Sequence, residues 1–212
     1  MGRRSQHAPE TLRRMIIEAA EAIVTEGGLT QLSAREIAKR IDYSPGTLYN
    51  VFENLDDVVL TIEGRLLDRL ARRLDQAIQA TRPGSAAGPA KSAQASPETT
   101  LLALAQAYLA FTHENPRLWN LLFEHRLPAD QGLPAWYMDK LDALLAQIET
   151  ALAPLFAPGE TEARSRSARV LWSAVHGITS LSTTGKLSII TTQAATQLAE
   201  DLVKTYLAGL SR

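Results

Sequence analysis

The stretch Ser33–Phe52 constrains the fold of this chain most, because it reads as two short helices joined by a tight turn. Ser33 lies three residues before Glu36, which is the capping-box spacing that begins a helix. Asp42 follows, and aspartate tolerates the left-handed conformation that such a turn often needs. A second helix is predicted from Ser44, a good N-cap, and Pro45, which suits the first helical position. Two helices joined this tightly predict a helix-turn-helix.

The second of these helices carries side chains suited to contact with nucleic acid. Gly46, Thr47 and Tyr49 offer a close-approaching backbone, a hydroxyl and a phenol, the groups that position a protein on DNA phosphates. Asn50 can pair with adenine and Tyr43 can touch a thymine methyl group, so we expect these two at base edges. The alternatives are a half-buried Tyr49 in a three-helix core, and surface positions without base contact for the other two.

Further contacts are expected around this helix. Arg35, near the start of the preceding helix, can reach a base or a phosphate, and Ser44 and Pro45 lie at the helix start, where backbone N–H groups meet anions. Arg3 and Arg4 form a basic arm that can enter a minor groove, although a disordered tail is an equal alternative.

The run SAREIAKRIDYSPGTLYNVFENLDDVV resembles the DNA-binding segment of the TetR family of bacterial transcriptional regulators. The chain departs from the family pattern at two positions. Asp42 stands where the family usually has glycine, and Leu55 stands where the family usually has a lysine that contacts phosphate. The resemblance implies a homodimer on a double-stranded DNA operator, with helix three of each subunit in a major groove. It also implies a small-molecule effector and a dimer interface made by the last two helices.

A second motif lies near the C-terminus. Trp172 and His176-Gly177 are similar to the W-x-x-x-H-G signature of one C-terminal domain type in TetR-like regulators. By helical spacing Thr179 shares their face. These three, together with Trp119, Phe123 and Tyr137, can line an apolar ligand site. The alternative is that all six residues belong to the core.

The rest of the chain predicts an all-α protein of about nine helices. We expect a three-helix DNA-binding domain over residues 1–53 and a larger ligand-binding and dimerisation bundle over 54–212, with a flexible loop at about 82–97. The helix beginning at Asn54 carries arginines interleaved with Glu63, Asp68 and Asp75, which favours a solvated face. The sequence predicts the last two helices over 160–184 and about 191–207. We expect their dimer face to comprise Leu171, Ala174, Val175, Ile178, Leu181, Leu198, Leu202, Val203 and Tyr206.

Composition excludes several classes of protein. The net charge is −1, there is no cysteine, and no apolar run approaches a membrane span. We therefore predict a cytoplasmic protein with no membrane association, cofactor, metal site or catalytic residue. His113-Glu114 and Glu124-His125 do not face each other on a helix, so neither pair predicts an enzyme. The remaining alternative is a helical adaptor whose helix-turn-helix binds protein.

Overall fold

The computed structural model describes residues 7–82 and 95–210, and within these ranges it contains helices and no strand. The α-helices are α1 (Pro9–Gly27), α2 (Ala34–Arg40), α3 (Leu55–Ala80), α4 (Pro97–Glu114), α5 (Pro116–Glu124), α6 (Ala135–Leu152), α7 (Thr161–Thr183), α8 (Leu187–Ile190) and α9 (Ala195–Leu210). Three 3₁₀ helices cover Leu29–Gln31, Pro45–Asn50 and Ala153–Leu155. The all-α prediction is confirmed. Arg3, Arg4 and most of the predicted 82–97 loop lie outside the described residues.

None of the described helices is long and apolar enough to cross a membrane. The end of the chain differs from the sequence prediction, because α9 begins at Ala195 and a separate short helix, α8, precedes it. Thr191 is extended, and its hydroxyl accepts a hydrogen bond from the Gln193 N–H at 3.1 Å. Such a local side-chain bond competes with helical hydrogen bonding, so the predicted start at about residue 191 was wrong.

Packing divides the chain into two compact units. The N-terminal unit comprises the residues up to Leu67 together with Asn115–Met138, and the bundle unit comprises Asp68–Glu114 and the residues from Asp139 onward. The first part of α3 therefore belongs to the N-terminal unit and its second part to the bundle unit. The domain boundary at 53/54, drawn from the sequence by function, stays a prediction.

In the bundle unit, α4, α7 and α9 pack against one another. Leu171, Val175 and Val203 are all under 10% exposed within this single chain. Their side chains are therefore already covered without a second subunit, and their assignment to a dimer face was wrong. Helical spacing alone does not distinguish a face turned toward the subunit's own core from one turned toward a partner.

The helix-turn-helix forms from short-range interactions. The Ser33 hydroxyl accepts a hydrogen bond from the Glu36 N–H at 3.1 Å, as the capping spacing predicts. At the other end of α2, the Tyr43 N–H donates to the Ala38 carbonyl at 2.9 Å, and Asp42 has a φ of 58°. This left-handed residue and its closing bond form a Schellman turn, which sets the direction in which the chain leaves α2.

Substitutions at Asp42 test this turn. We expect Asp42→Ala to lower the free energy of unfolding by about 1 kcal/mol, because alanine adopts the left-handed conformation at a cost. Asp42→Gly removes the same side chain but accepts a positive φ, so it should stay closer to the wild type. Urea unfolding monitored by circular dichroism measures both variants. Equal losses in the two would show that the side chain, and not the backbone conformation, is responsible.

Candidate nucleic-acid interface and effector cavity

The recognition element, residues Pro45–Asn50, is a 3₁₀ helix. The sequence predicted a helix here, and the tighter winding is a correction to its type. Ser44 occupies the N-cap position, but its hydroxyl makes no capping bond to the backbone and instead lies 3.0 Å from the Thr47 hydroxyl. The Thr47 N–H donates to the Ser44 carbonyl at 3.0 Å, the i to i+3 pattern of a 3₁₀ turn.

The predicted DNA-contacting residues lie on the outside of this element. Leu48 and Phe52, four residues apart, are buried and anchor it inward. Tyr49 is 54% exposed, so the alternative of a half-buried core tyrosine does not hold. The other exposed candidates are Arg35, Ser44, Pro45, Gly46 and Asn50, and the half-buried ones are Tyr43 and Thr47.

Gly46 is not required by packing inside the chain. A Cβ atom built on it would meet no atom of the described residues 7–82 and 95–210 within 4 Å. Its φ also lies outside the left-handed region, so its backbone conformation does not demand glycine. The bare backbone at this position therefore suits a close approach by a molecule outside the chain, such as a phosphate group.

Several groups near this surface are held by neighbours. The Tyr43 hydroxyl lies 2.6 Å from Nδ1 of His7, which places the start of the described chain beside the turn. Arg40 binds Glu26 through two hydrogen bonds of 3.0 and 2.7 Å, so its guanidinium is engaged at the far end of α2. Arg35, the second residue of α2, is exposed.

Arg13 on α1 is a structural residue that the sequence analysis did not single out. Its guanidinium donates to the Val51 carbonyl at 2.9 Å and lies 4.1 Å from the centre of the Phe52 ring. A cation over an aromatic face is attracted by the ring quadrupole. Arg13 therefore fixes the end of the recognition element against α1.

A buried cluster of ionisable groups connects α3 with the end of α5. His125 follows α5, and its Nδ1 and Nε2 atoms lie 3.1 Å from carboxylate oxygens of Glu63 and Asp56, respectively. Glu63 is 2% exposed, so its assignment to a solvated face was wrong. Tyr137 also hydrogen-bonds Glu63; burial, followed by the charge of Glu63, raises the pKa of this tyrosine.

The cluster controls the charge of the histidine. The hydrogen bond that His125 donates to Glu63, with that to Asp56 adding to it, raises the pKa of His125 despite the opposing effect of burial. A protonated imidazole donates from both nitrogen atoms, so it can bridge the two carboxylates. The cluster thereby holds the C-terminal end of α5 against the beginning of α3.

An apolar cavity of about 50 Å³ lies inside the bundle unit. Its walls come from α3, α4, α6, α7 and α9. Ten of the twelve lining side chains are aliphatic: Leu70, Leu74, Leu101, Leu104, Ala105, Leu144, Ile148, Leu171, Val175 and Val203. Tyr108 and Trp172 are the other two. This lining is typical of a small-molecule site, in which apolar walls surround few polar groups.

One of the lining residues, Tyr108, forms a hydrogen bond with another side chain. The Tyr108 hydroxyl lies 2.8 Å from Nδ1 of His176, and the His176 ring stacks on Trp172 with centroids 5.2 Å apart. Burial raises the pKa of Tyr108 and lowers that of His176, so both groups are uncharged at neutral pH. Tyr108 was not singled out from the sequence, although it is the one aromatic hydroxyl on the buried face of α4.

The six predicted ligand residues do not form a single group. Trp119, Phe123 and Tyr137 belong to the N-terminal unit, whereas Trp172, His176 and Thr179 belong to the bundle unit. Of the six, Trp172 lines the cavity, and His176 reaches it through Tyr108. Thr179 is buried and donates to the carbonyl of the residue four positions earlier, a local helical bond. Ligand contact by these residues stays a prediction.

Two family models match the chain. The model described as bacterial regulatory proteins, tetR family, matches residues 16–62, and the model described as tetracyclin repressor-like, C-terminal domain, matches residues 101–206. The first match contains the helix-turn-helix, and the second spans most of the bundle unit together with α5.

Curated relatives and solved structures agree with these matches. An uncharacterised HTH-type transcriptional regulator of Mycobacterium tuberculosis is 24% identical over 200 residues, which cover 94% of this chain and 82% of the relative. The HTH-type transcriptional repressor KstR of Mycolicibacterium smegmatis is 32% identical over 65 residues, covering 31% of this chain and 32% of KstR. A protein of unknown function from Rhodococcus sp. RHA1 has the same fold, with a TM-score of 0.74 at 20% identity and 98% coverage of both chains.

Proposed function

Because the chain belongs to the TetR family of DNA-binding transcriptional regulators, we propose that it is a repressor that binds a palindromic operator as a homodimer and is released by a small-molecule effector. Family membership makes it a regulator and not an enzyme. The single observation that carries the proposal is the exposed recognition element, Pro45–Asn50, held in place by a fully formed turn after α2. The similarity to KstR, a transcriptional repressor, supports the choice of repression.

The proposed contacts with DNA follow from what the recognition element exposes. Tyr49 is 54% exposed, and a Cβ atom on Gly46 would meet no described residue within 4 Å, which suits contact of both with phosphates. Asn50 is exposed at the end of the same element and is our candidate for a base edge. An adaptor that binds protein through this surface remains the second candidate, and DNA selection distinguishes the two.

The proposed effector site is the apolar cavity of the bundle unit. Its volume of about 50 Å³ is far below the roughly 300–1,000 Å³ of pockets that hold drug-sized ligands. A ligand must therefore displace lining side chains, including Leu70 and Leu74 on α3. Since α3 also supplies residues to the N-terminal unit, such a displacement offers a route by which ligand binding can weaken operator binding.

The test is a selection of bound sequences from random duplex DNA by the purified full chain. We expect a palindromic consensus whose half-sites are separated by about one helical turn, roughly 34–36 Å, or a multiple of it. A palindrome supports both the dimer and the regulator role. Recovery of no preferred sequence at low salt would contradict the proposal and favour the adaptor.

The dimer is proposed from the apolar side chains that the bundle unit leaves exposed. Ile189 and Ile190 on α8 are 82% and 69% exposed, and Val170 on α7 is 46% exposed. Exposed apolar side chains mark an interface where they form a contiguous patch, and Ile189 and Ile190 are adjacent in the chain. We place α8 and the outer face of α7 in an isologous contact, in which each subunit presents the same patch.

Charge at this patch should separate the subunits. Light scattering of the wild type at micromolar concentration should give twice the 23.1 kDa chain mass. Ile189→Glu combined with Ile190→Glu should give the mass of one chain, because two carboxylates from each subunit would be buried without partners. Leu155→Glu, at a position 39% exposed outside the patch, is the matched control and should leave the dimer intact. A dimeric double variant would exclude α8 from the interface.

A further inference from the structure

The lining of the bundle cavity restricts the kind of molecule it can hold. Among the twelve lining residues in the part of the chain that the structure describes, there is no carboxylate, ammonium or guanidinium group. A charged group moved from water into such surroundings loses its hydration and gains no counter-ion. An effector that enters the cavity with a formal charge would therefore bind poorly, whereas hydrocarbon would replace water contacts with contacts to leucine side chains.

Polar recognition at this cavity depends on Tyr108 and His176. Tyr108 is 5% exposed, lines the cavity, and lies 2.8 Å from the imidazole Nδ1. In one tautomer the phenol donates to Nδ1, and in the other the imidazole donates to the phenol oxygen. A ligand oxygen that displaces either partner thus meets a donor or an acceptor as needed. The Trp172 ring stacks parallel to the His176 imidazole and so restricts the orientation of the imidazole ring.

Resting on the effector role proposed above, we propose that the bundle cavity takes an uncharged, hydrocarbon-rich effector whose single hydroxyl or carbonyl oxygen is bound by Tyr108 and His176. Aliphatic walls from five helices accommodate the hydrocarbon part. The phenol–imidazole pair supplies a polar contact that can donate or accept, and it prefers a neutral oxygen over an ionised head group.

Three eight-carbon probes that differ only in their head group test this class: 1-octanol, octanoate and octylammonium. Isothermal titration of the full chain at pH 7.5 measures their dissociation constants without DNA. We expect 1-octanol to bind at least about tenfold more tightly than either ion, because burying an unpaired charge costs more than burying a hydroxyl.

Tyr108→Phe should weaken 1-octanol binding roughly fivefold, the loss expected for one neutral hydrogen bond. Toluene, which forms no such bond, should bind that variant as it binds the wild type.

Two variants of one wall residue locate the probe. Leu144 is 8% exposed and lines the cavity, so Leu144→Phe should fill the space and abolish binding of 1-octanol and toluene. Leu144→Ala enlarges the cavity and should strengthen their binding, and circular dichroism shows whether each variant is folded. Octanol binding that a folded Leu144→Phe variant leaves unchanged would overturn the inference. So would octanoate or octylammonium binding as tightly as 1-octanol, or the absence of octanol binding in both the wild type and Leu144→Ala.

The inference and the proposed function can fail separately. If the chain selects no DNA sequence but binds 1-octanol through Tyr108, the regulator proposal fails and the ligand class stands. If it selects a palindrome and binds only an ion in the bundle, the ligand class is wrong and the regulator stands.

Discussion

His125→Leu should lower the free energy of unfolding by about 3 kcal/mol at pH 6, as measured by urea unfolding. The substitution leaves the 2% exposed Glu63 carboxylate without the cation that faces it, and removing one member of a buried pair is more costly than removing a surface pair. The loss falls at the lower end of the usual range, because Tyr137 still hydrogen-bonds Glu63 and Asp56 is partly exposed.

The pH dependence identifies the interaction. Since the pKa of His125 is higher in the folded chain than the ordinary value of about 6.5, its stabilisation is complete below that value. The stabilisation decreases as the pH rises through the folded-state pKa, when the imidazole loses its proton. The difference between wild type and His125→Leu should therefore be largest at low pH and shrink toward alkaline pH.

A second histidine gives the matched control for this experiment. His113 is exposed, and its Nε2 lies 2.9 Å from the Ser182 hydroxyl. His113→Leu removes hydrogen bonds to the Leu109 carbonyl and the Ser182 hydroxyl, so it should cost about 1 kcal/mol, well below the loss in His125→Leu. A loss in His125→Leu that is independent of pH would show that the side chain acts by packing and not by its charge.

This cluster matters for the candidate interface because of where it lies. It fixes the end of α5, and α5 packs against α1 and the 29–31 turn within the N-terminal unit. Arg117 on α5 also donates to the backbone carbonyls of Thr25 and Glu26 at the end of α1. Glu26 in turn binds Arg40 at the end of α2. The orientation of α2, and with it the recognition element, depends on contacts far from it in sequence.

Local signals account for the part of the structure that the sequence predicted. The Ser33 cap forms as its spacing indicates, and at the predicted helix start at Asn54 the Asp57 N–H donates to Asn54 Oδ1 at 2.8 Å. Leu48 and Phe52 are buried as their four-residue separation requires. Such features depend on residues within one helical turn, so they can be read without knowledge of the fold.

The features that the sequence did not predict depend on distant partners. Glu63 is buried because His125, 62 residues later, reaches it. The pairing of Tyr108 with His176 spans 68 residues. Neither pair has a spacing that a single helix would reveal, so a charged residue on α3 looked solvated and Tyr108 looked like part of an apolar helix. The caps of Pro45–Asn50 suit either kind of helix, so they do not distinguish 3₁₀ from α winding.

The largest effect on operator binding should come from Tyr49→Phe. A hydrogen bond to a charged phosphate contributes about 1.5 kcal/mol or more, and the substitution occurs in both subunits of the proposed dimer. The expected loss is about 3 kcal/mol, roughly 150-fold in the dissociation constant, measured by fluorescence anisotropy with the selected operator. Because phosphate contacts carry no sequence information, binding to unrelated duplexes should weaken in parallel.

Gly46→Ala separates contact with DNA from stability of the fold. Its added methyl group would meet no atom within 4 Å in the part of the chain that the structure describes, so the unfolding free energy should stay close to that of the wild type. Operator affinity should nevertheless fall, because the methyl group would stand between the backbone and a phosphate.

Asn50→Ala should act differently and cost roughly 1–3 kcal/mol at one base pair only, relaxing the preference there. Unchanged affinity in the Tyr49, Gly46 and Asn50 variants together would remove Pro45–Asn50 from the DNA interface, even if the chain binds its operator.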